Sequence, residues 1–175
     1  SLCGIGCVAP GMTDTQSGVV LEAANLDNWI NVPLVAELEG RFQAPVAIEN
    51  DVNAAAIAEA RLSVPTEMSP VVYVTLSTGV AAGIVIDGKI LRGANYCAGE
   101  IGNMIPSPEF IGPDWRPSGC LEQLAGGIGL AAQWAKIQGT LASTTSALEV
   151  FQAADAGNVK AAALINKATD YMAQA

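Results

Sequence analysis

Two short constellations carry most of the polar chemistry in this chain of 175 residues. The first is Ile48-Glu49-Asn50-Asp51-Val52-Asn53, followed by three alanines. A carboxylate that follows an apolar strand and opens a helix can act as a general base toward a hydroxyl. Asn50 or Asn53 could then orient a polyol through amide hydrogen bonds. The structural alternative is an Asp or Asn that only caps the helix, which contributes about 1 kcal/mol. The second constellation is Thr75-Leu76-Ser77-Thr78-Gly79. Two hydroxyls and the backbone amides of a turn can bind phosphate. The alternative is an ordinary hairpin.

Two further segments place carboxylates beside glycines. Ala98-Gly99-Glu100-Ile101-Gly102-Asn103 sets Glu100 and Asn103 in backbone that can approach a ligand closely. Gly119-Cys120-Leu121-Glu122 puts Glu122 at a helix start, where the helix dipole favours it in any case. Acceptors of this kind suit neutral polyols, whose hydroxyls need several partners, and not anions.

These residues need a scaffold of strands and helices. Leu2 to Ala9 reads as a buried strand, closed by the Pro10-Gly11 turn. A short strand over Gly18 to Glu22 and a helix over Pro33 to Phe42 follow. Val46 to Ile48 is a strand, and Asn50 or Asp51 caps a helix running to about Leu62. Val71 to Leu76 and Gly83 to Ile86 are strands flanking the Ser77-Thr78-Gly79 turn, and Asp87-Gly88 is a hairpin signal leading into Lys89 to Leu91. Gly93 to Pro117 reads as a long loop. Helices are expected over Cys120 to Gln138, Thr145 to Ala156 and Asn158 to Ala175, with Gly126 and Gly127 inside the first. Mixed strands and helices, then helices alone, describe an α/β sheet with functional loops at strand ends and a C-terminal helical region.

Composition narrows the function classes. Hydrophobic residues make up 51% and charged residues 14%, enough to fill a core. A net charge of −9 repels phosphate backbones, so direct nucleic-acid binding by this segment is not expected. Cys3, Cys7, Cys97 and Cys120 form no C-x-x-C pair and there is no histidine, which argues against a zinc ribbon or a redox motif. Scattered thiols in an apolar chain read as reduced core residues, which suits the cytoplasm. No apolar run reaches the roughly 18 residues of a membrane span.

The motifs together resemble the ROK family of repressors, open reading frames and sugar kinases. The resemblance rests on Pro10-Gly11, Asn25-Leu26, Trp29, Glu49-Asn50-Asp51-x-Asn53-Ala54-Ala55, Ser77-Thr78-Gly79, Asp87-Gly88-Lys89, Ala98-Gly99-Glu100-Ile101-Gly102 and Gly119-Cys120-Leu121-Glu122, in that order. It implies a partial actin-like, ribonuclease-H-like ATPase fold with a mixed sheet. Residues 1–50 would end its N-terminal subdomain and residues 51–175 would begin its C-terminal one. It also implies an ATP-dependent hexose kinase in which Asp51 is the general base. Asn50, Glu100 and Asn103 would hold sugar hydroxyls and Glu122 would reach the anomeric side. Ser77, Thr78 and Gly79 would form a phosphate loop for ATP with Mg²⁺. The implied partners are a hexose or N-acetylhexosamine and further copies of the chain, in the cytoplasm and away from any membrane.

The sequence also departs from the family. Ser77 and Ala81 stand where the phosphate loop usually has glycines, and Asn103 stands where a histidine is usual. The zinc run is reduced to Asp114-Trp115-Arg116-Pro117-Ser118-Gly119-Cys120, so no structural zinc is expected and Phe110 and Trp115 would hold the loop by packing. The N-terminal phosphate motif and the adenosine-contacting glycines have no counterpart, so the segment alone is not expected to turn over. These departures keep two other readings open: the sugar-sensing core of a repressor, and a non-catalytic relative.

Overall fold

Buried apolar side chains gather in two clusters, and the chain divides accordingly. A computed structural model describes residues 2–23, 26–65, 67–112 and 118–175. The first compact unit comprises residues 1–73 and 82–99, and the second residues 74–81 and 100–175.

In the first unit, β1 (Ile5–Ala9) runs parallel to β5 (Val46–Asn50), with Ile5 opposite Val46 and Ala9 opposite Asn50. That register brings the Pro10-Gly11 turn level with the end of β5. A meander of β2 (Met12–Asp14), β3 (Val19–Glu22) and β4 (Ile30–Val32) follows β1. Ala9, Val20, Ala23 and Ile48 form the unit's core, with Trp29, Val32, Leu34 and Val35 packed on it. Helix α1 (Leu34–Phe42) contributes its first turn to that packing. Helix α2 (Asp51–Leu62) starts directly from β5.

Strands β6 (Val71–Leu76), β7 (Val80–Ile86) and β8 (Lys89–Ile90) form a sheet in that order. The β7–β8 turn has Asp87 and Gly88 both at positive φ (49° and 74°), the backbone a two-residue hairpin with right-handed twist requires. A Cβ on Gly83 would lie 2.4 Å from the Ala56 Cβ, so α2 sits hard against β7 at a glycine.

The second unit is mostly helical. Short 3₁₀ turns occupy Ile101–Asn103, Pro108–Phe110 and Ala142–Thr144. Helices α3 (Leu121–Ala125), α4 (Gly127–Gln138), α5 (Ala147–Asp155) and α6 (Val159–Gln174) enclose a core in which Leu121 and Val150 have no exposed surface. Asn158 caps α6 by accepting from the Lys160 and Ala161 N–H groups. No helix of the described residues is long and apolar enough to cross a membrane.

Several expectations need correction. The helix expected over Cys120 to Gln138 is two helices, broken at Gly126, whose backbone is extended (φ −66°, ψ 158°). The first strand starts at Ile5 and is not buried: Val8 is 56% exposed. Its alternation leaves one face open, whereas a run of apolar residues suggested burial on both. Cys3 and Cys97 are exposed and only Cys120 is buried, all without disulfides, so the cysteines are not a set of core residues. Strands β2 and β4 were not expected, being only three residues each. Phe110 does pack on the second core, edge-on to Tyr171 at 5.6 Å between ring centroids. Asn25 and residues 113–117, including Trp115, lie outside the described residues.

Candidate functional site

The β5–α2 junction is built by side chains. Asn50 is the N-cap: its Oδ1 accepts from the Asn53 N–H at 3.0 Å. Its Nδ2 donates to the Gly11 carbonyl at 3.0 Å. Gly11 can stand there because it has no Cβ; at φ +79° one would lie 2.1 Å from the Glu22 carbonyl oxygen. Capping is thus done by Asn50, and Asp51 occupies the first helical position. The Asp51 side chain is exposed, and its Oδ1 accepts from the Val52 N–H at 2.9 Å. A carboxylate in the first turn is favoured by the helix dipole. It retains an oxygen able to take a hydrogen bond or a proton from a ligand hydroxyl.

Glu49 lies behind this turn. Its Oε1 accepts from the Asn50 N–H at 3.0 Å and from Asn53 Nδ2 at 3.3 Å. Its Oε2 accepts from Arg92 Nε at 3.1 Å and from Arg92 Nη2. Asp14 anchors the stretch after Arg92 in a similar way, accepting from the Ser17 hydroxyl at 2.6 Å, the Tyr96 hydroxyl and the Gln16 and Ser17 N–H groups. The Ser17 and Tyr96 hydroxyls hold the Asp14 carboxyl far below the usual carboxylate range. Asp14 in turn pushes the Tyr96 phenol above its ordinary value. Gly99 closes this stretch, its carbonyl accepting from the Ala82 N–H at 2.7 Å.

In the second unit the Ser77-Thr78-Gly79 turn is built by backbone. The Ser77 and Thr78 carbonyls accept from the Gly127 and Ile128 N–H groups at 2.8 and 3.1 Å, so the turn caps α4. The Ser77 N–H donates to the Gly79 carbonyl at 3.0 Å, and the Val80 N–H to Glu122 Oε2 at 3.2 Å. Glycines crowd this segment. A Cβ on Gly79 would lie 2.0 Å from Glu122 Oε2, one on Gly102 2.3 Å from the Val80 carbonyl oxygen, and one on Gly127 2.8 Å from the Ser77 carbonyl oxygen. Among the described residues the N–H groups of Thr78 and Gly79 have no partner. Ser77 and Thr78 line a cavity of about 330 Å³ with Gly127, Ile128, Thr145 and Ser146. Neutral donors at the mouth of a cavity suit phosphate oxygens. Ala81 lies inside β7, beyond the turn proper.

The expected residues therefore fall into two groups. Asn50 and Asp51 adjoin each other in the first unit. Ser77, Thr78, Gly79 and Glu122 come together in the second, where Glu100 and Asn103 flank the 3₁₀ turn whose Gly102 packs on Val80. Asn103 and Glu100 are exposed. Sequence reasoning quoted Glu49 but gave it no role, and it missed Arg92 altogether. An acidic residue directly after an apolar strand was the available signal, because a carboxylate taken from water needs a partner. No group of three His, Cys, Asp or Glu able to hold a metal ion occurs among the described residues. A divalent cation carried on the phosphates of a ligand needs few protein ligands.

Comparison with known proteins adds a family. The ROK family model matches residues 1–175. A glucokinase of Halalkalibacterium halodurans is 39% identical over 131 residues, covering 74% of this chain and 39% of that protein. A xylose repressor of Caldicellulosiruptor bescii is 38% identical over 124 residues, covering 71% of this chain and 31% of the repressor. The crystal structure of a ROK family glucokinase from Streptomyces griseus, in complex with glucose and AMPPNP, superposes with a TM-score of 0.75 at 29% identity, covering 98% of this chain and 59% of that one. The chain thus spans less than two thirds of the length of each. The partial actin-like α/β fold expected from the motifs is the fold present.

Proposed function

The chain belongs to the ROK family, and we propose that the protein carrying it is an ATP-dependent hexose kinase with Asp51 as general base. The observation that carries this reading is the division of labour at the β5–α2 junction. Asn50 caps the helix, which leaves Asp51 exposed with one carboxylate oxygen free of the fold. A residue needed only as a cap would have been engaged as one.

In this reading Asp51 takes the proton from the attacking sugar hydroxyl. Asn50, Glu100 and Asn103 orient hydroxyls of a hexose or N-acetylhexosamine, and Glu122 meets the anomeric side. Asn50 is already held by Gly11 and Asn53, so it presents its remaining donor and lone pair at a fixed angle. Ser77, Thr78 and Gly79 offer hydroxyls and unpaired N–H groups to phosphate oxygens. ATP, when bound with Mg²⁺, supplies the γ-phosphoryl group, and catalysis of such transfer is largely positioning and charge neutralisation. Glu122 has a second task, because its Oε2 holds the Val80 N–H at the start of β7. The cytoplasm, where ATP is plentiful, and a homo-oligomeric state complete the reading.

The identity to a xylose repressor supports a second reading, a sugar-sensing core that binds without transfer. Calorimetric titration of the full-length protein with glucose, N-acetylglucosamine, N-acetylmannosamine and fructose, with and without Mg-ATP, separates the two. The kinase reading expects one sugar to bind and to yield sugar phosphate and ADP. Sugar binding with no ADP formed in any mixture would select the sensor and overturn the kinase.

A further inference from the structure

We propose that Glu49 and Arg92 act together as a positioning clamp for Asp51. The inference rests on the kinase reading above and gives it two residues that touch neither sugar nor nucleotide. Glu49 is the penultimate residue of β5, and its side chain is 14% exposed. A carboxylate so withdrawn from water is costly unless its oxygens are filled. Here four donors fill them: the Asn50 N–H and Asn53 Nδ2 on Oε1, and Nε and Nη2 of Arg92 on Oε2.

The two donors on Oε1 come from the residues that bracket Asp51. Asn50 precedes it, and Asn53 lies two positions after it in the first helical turn. Asn53 also gives its backbone N–H to Asn50 Oδ1, which closes a ring of hydrogen bonds around the turn. The Asn53 side chain is buried, so it has little else to bond. Glu49 therefore fixes the rotation of the turn, and with it the direction of the Asp51 side chain.

Arg92 fixes Glu49 in turn. Its guanidinium reaches Oε2 through two nitrogens, a planar contact that a lysine could not reproduce. The Arg92 carbonyl accepts from the Ala98 N–H at 3.1 Å, so the clamp also fastens the base of the 93–99 stretch. Asp14 and Tyr96 hold the same stretch from another side. Both partners lie in the first unit, where the clamp is complete.

The test uses the full-length protein with Glu49→Gln, Arg92→Ala and the double substitution. Glu49→Gln is isosteric, and melting curves show whether each variant folds. Amide exchange at Asn50 and Asn53 reads the clamp without any ligand, and faster exchange than in the parent is expected in every variant. Unchanged exchange would overturn the proposal even if no sugar is turned over, a result that would separately sink the kinase reading. In kinetics, each single variant is expected to lose about 10²-fold in kcat, the effect of misplacing a reacting group by about an ångström, with KM for Mg-ATP unmoved. The double variant should fall no further than the worse single one, because the two act as a unit. Added guanidinium should restore part of the Arg92→Ala rate and none in Glu49→Gln. Parent-level kcat in both single variants, or losses that multiply in the double, would overturn the clamp.

Discussion

The two turns that this account places at work are built in opposite ways. The β5–α2 turn is held by side chains: Asn50, Asn53, Glu49 and Arg92 bond one another, and Asp51 is left exposed beside them. The Ser77–Gly79 turn is held mostly by backbone, with Glu122 Oε2 on the adjoining Val80 N–H, and Gly102 and Gly127 let neighbouring backbone approach closer than any Cβ allows. A group that must aim one carboxylate needs locked rotamers, which hydrogen-bonding side chains supply. A segment that must offer N–H groups to phosphate needs bare backbone, which glycine supplies. The first should fail when polar groups are removed, and the second when carbon is added.

The larger effect is expected in the second turn. Gly102→Ala drives a Cβ toward the Val80 carbonyl oxygen, which is backbone and cannot swing aside. Overpacking of that kind costs about 3 kcal/mol at the upper end of its usual range. In a folded unit of about 150–250 residues that lowers Tm by roughly 6–12 °C, which a melting curve would read. A stability equal to the parent would show that the segment has slack and would remove the contrast. Asn50→Ala is the smaller change. It deletes the cap of α2 and the tie to Gly11 and should cost about 1–2 kcal/mol, read by urea melts. A loss as large as that of Gly102→Ala would mean that the β5–α2 turn carries far more of the fold than its side-chain bonds suggest.

Much of this was legible in the sequence where chemistry and local geometry coincide. The Asn50–Asp51 helix start, the Asp87-Gly88 hairpin and the helix over 159–174 follow from residue preferences acting within a few positions. The break at Gly126 was signalled in the sequence only by the glycines there, which weaken a helix; it is imposed from elsewhere, where the Ser77 carbonyl takes the Gly127 N–H. Cys3 and Cys97 lie outside the strands in irregular backbone, and an apolar run does not state that they are exposed. Glu49 was visible as a charge directly after the expected Val46–Ile48 strand, but its partner lies 43 positions away at Arg92 and is found only in the folded chain.

One measurement bears most directly on the claim that Asp51 is the base. The full-length Asp51→Asn protein should bind its sugar with a Kd within a few-fold of the parent, by calorimetry. Its rate of sugar phosphorylation with saturating Mg-ATP should fall by about 10²–10⁴-fold, the usual worth of a positioned general base. An Asp51→Asn protein that phosphorylates sugar at the parent rate would contradict the account.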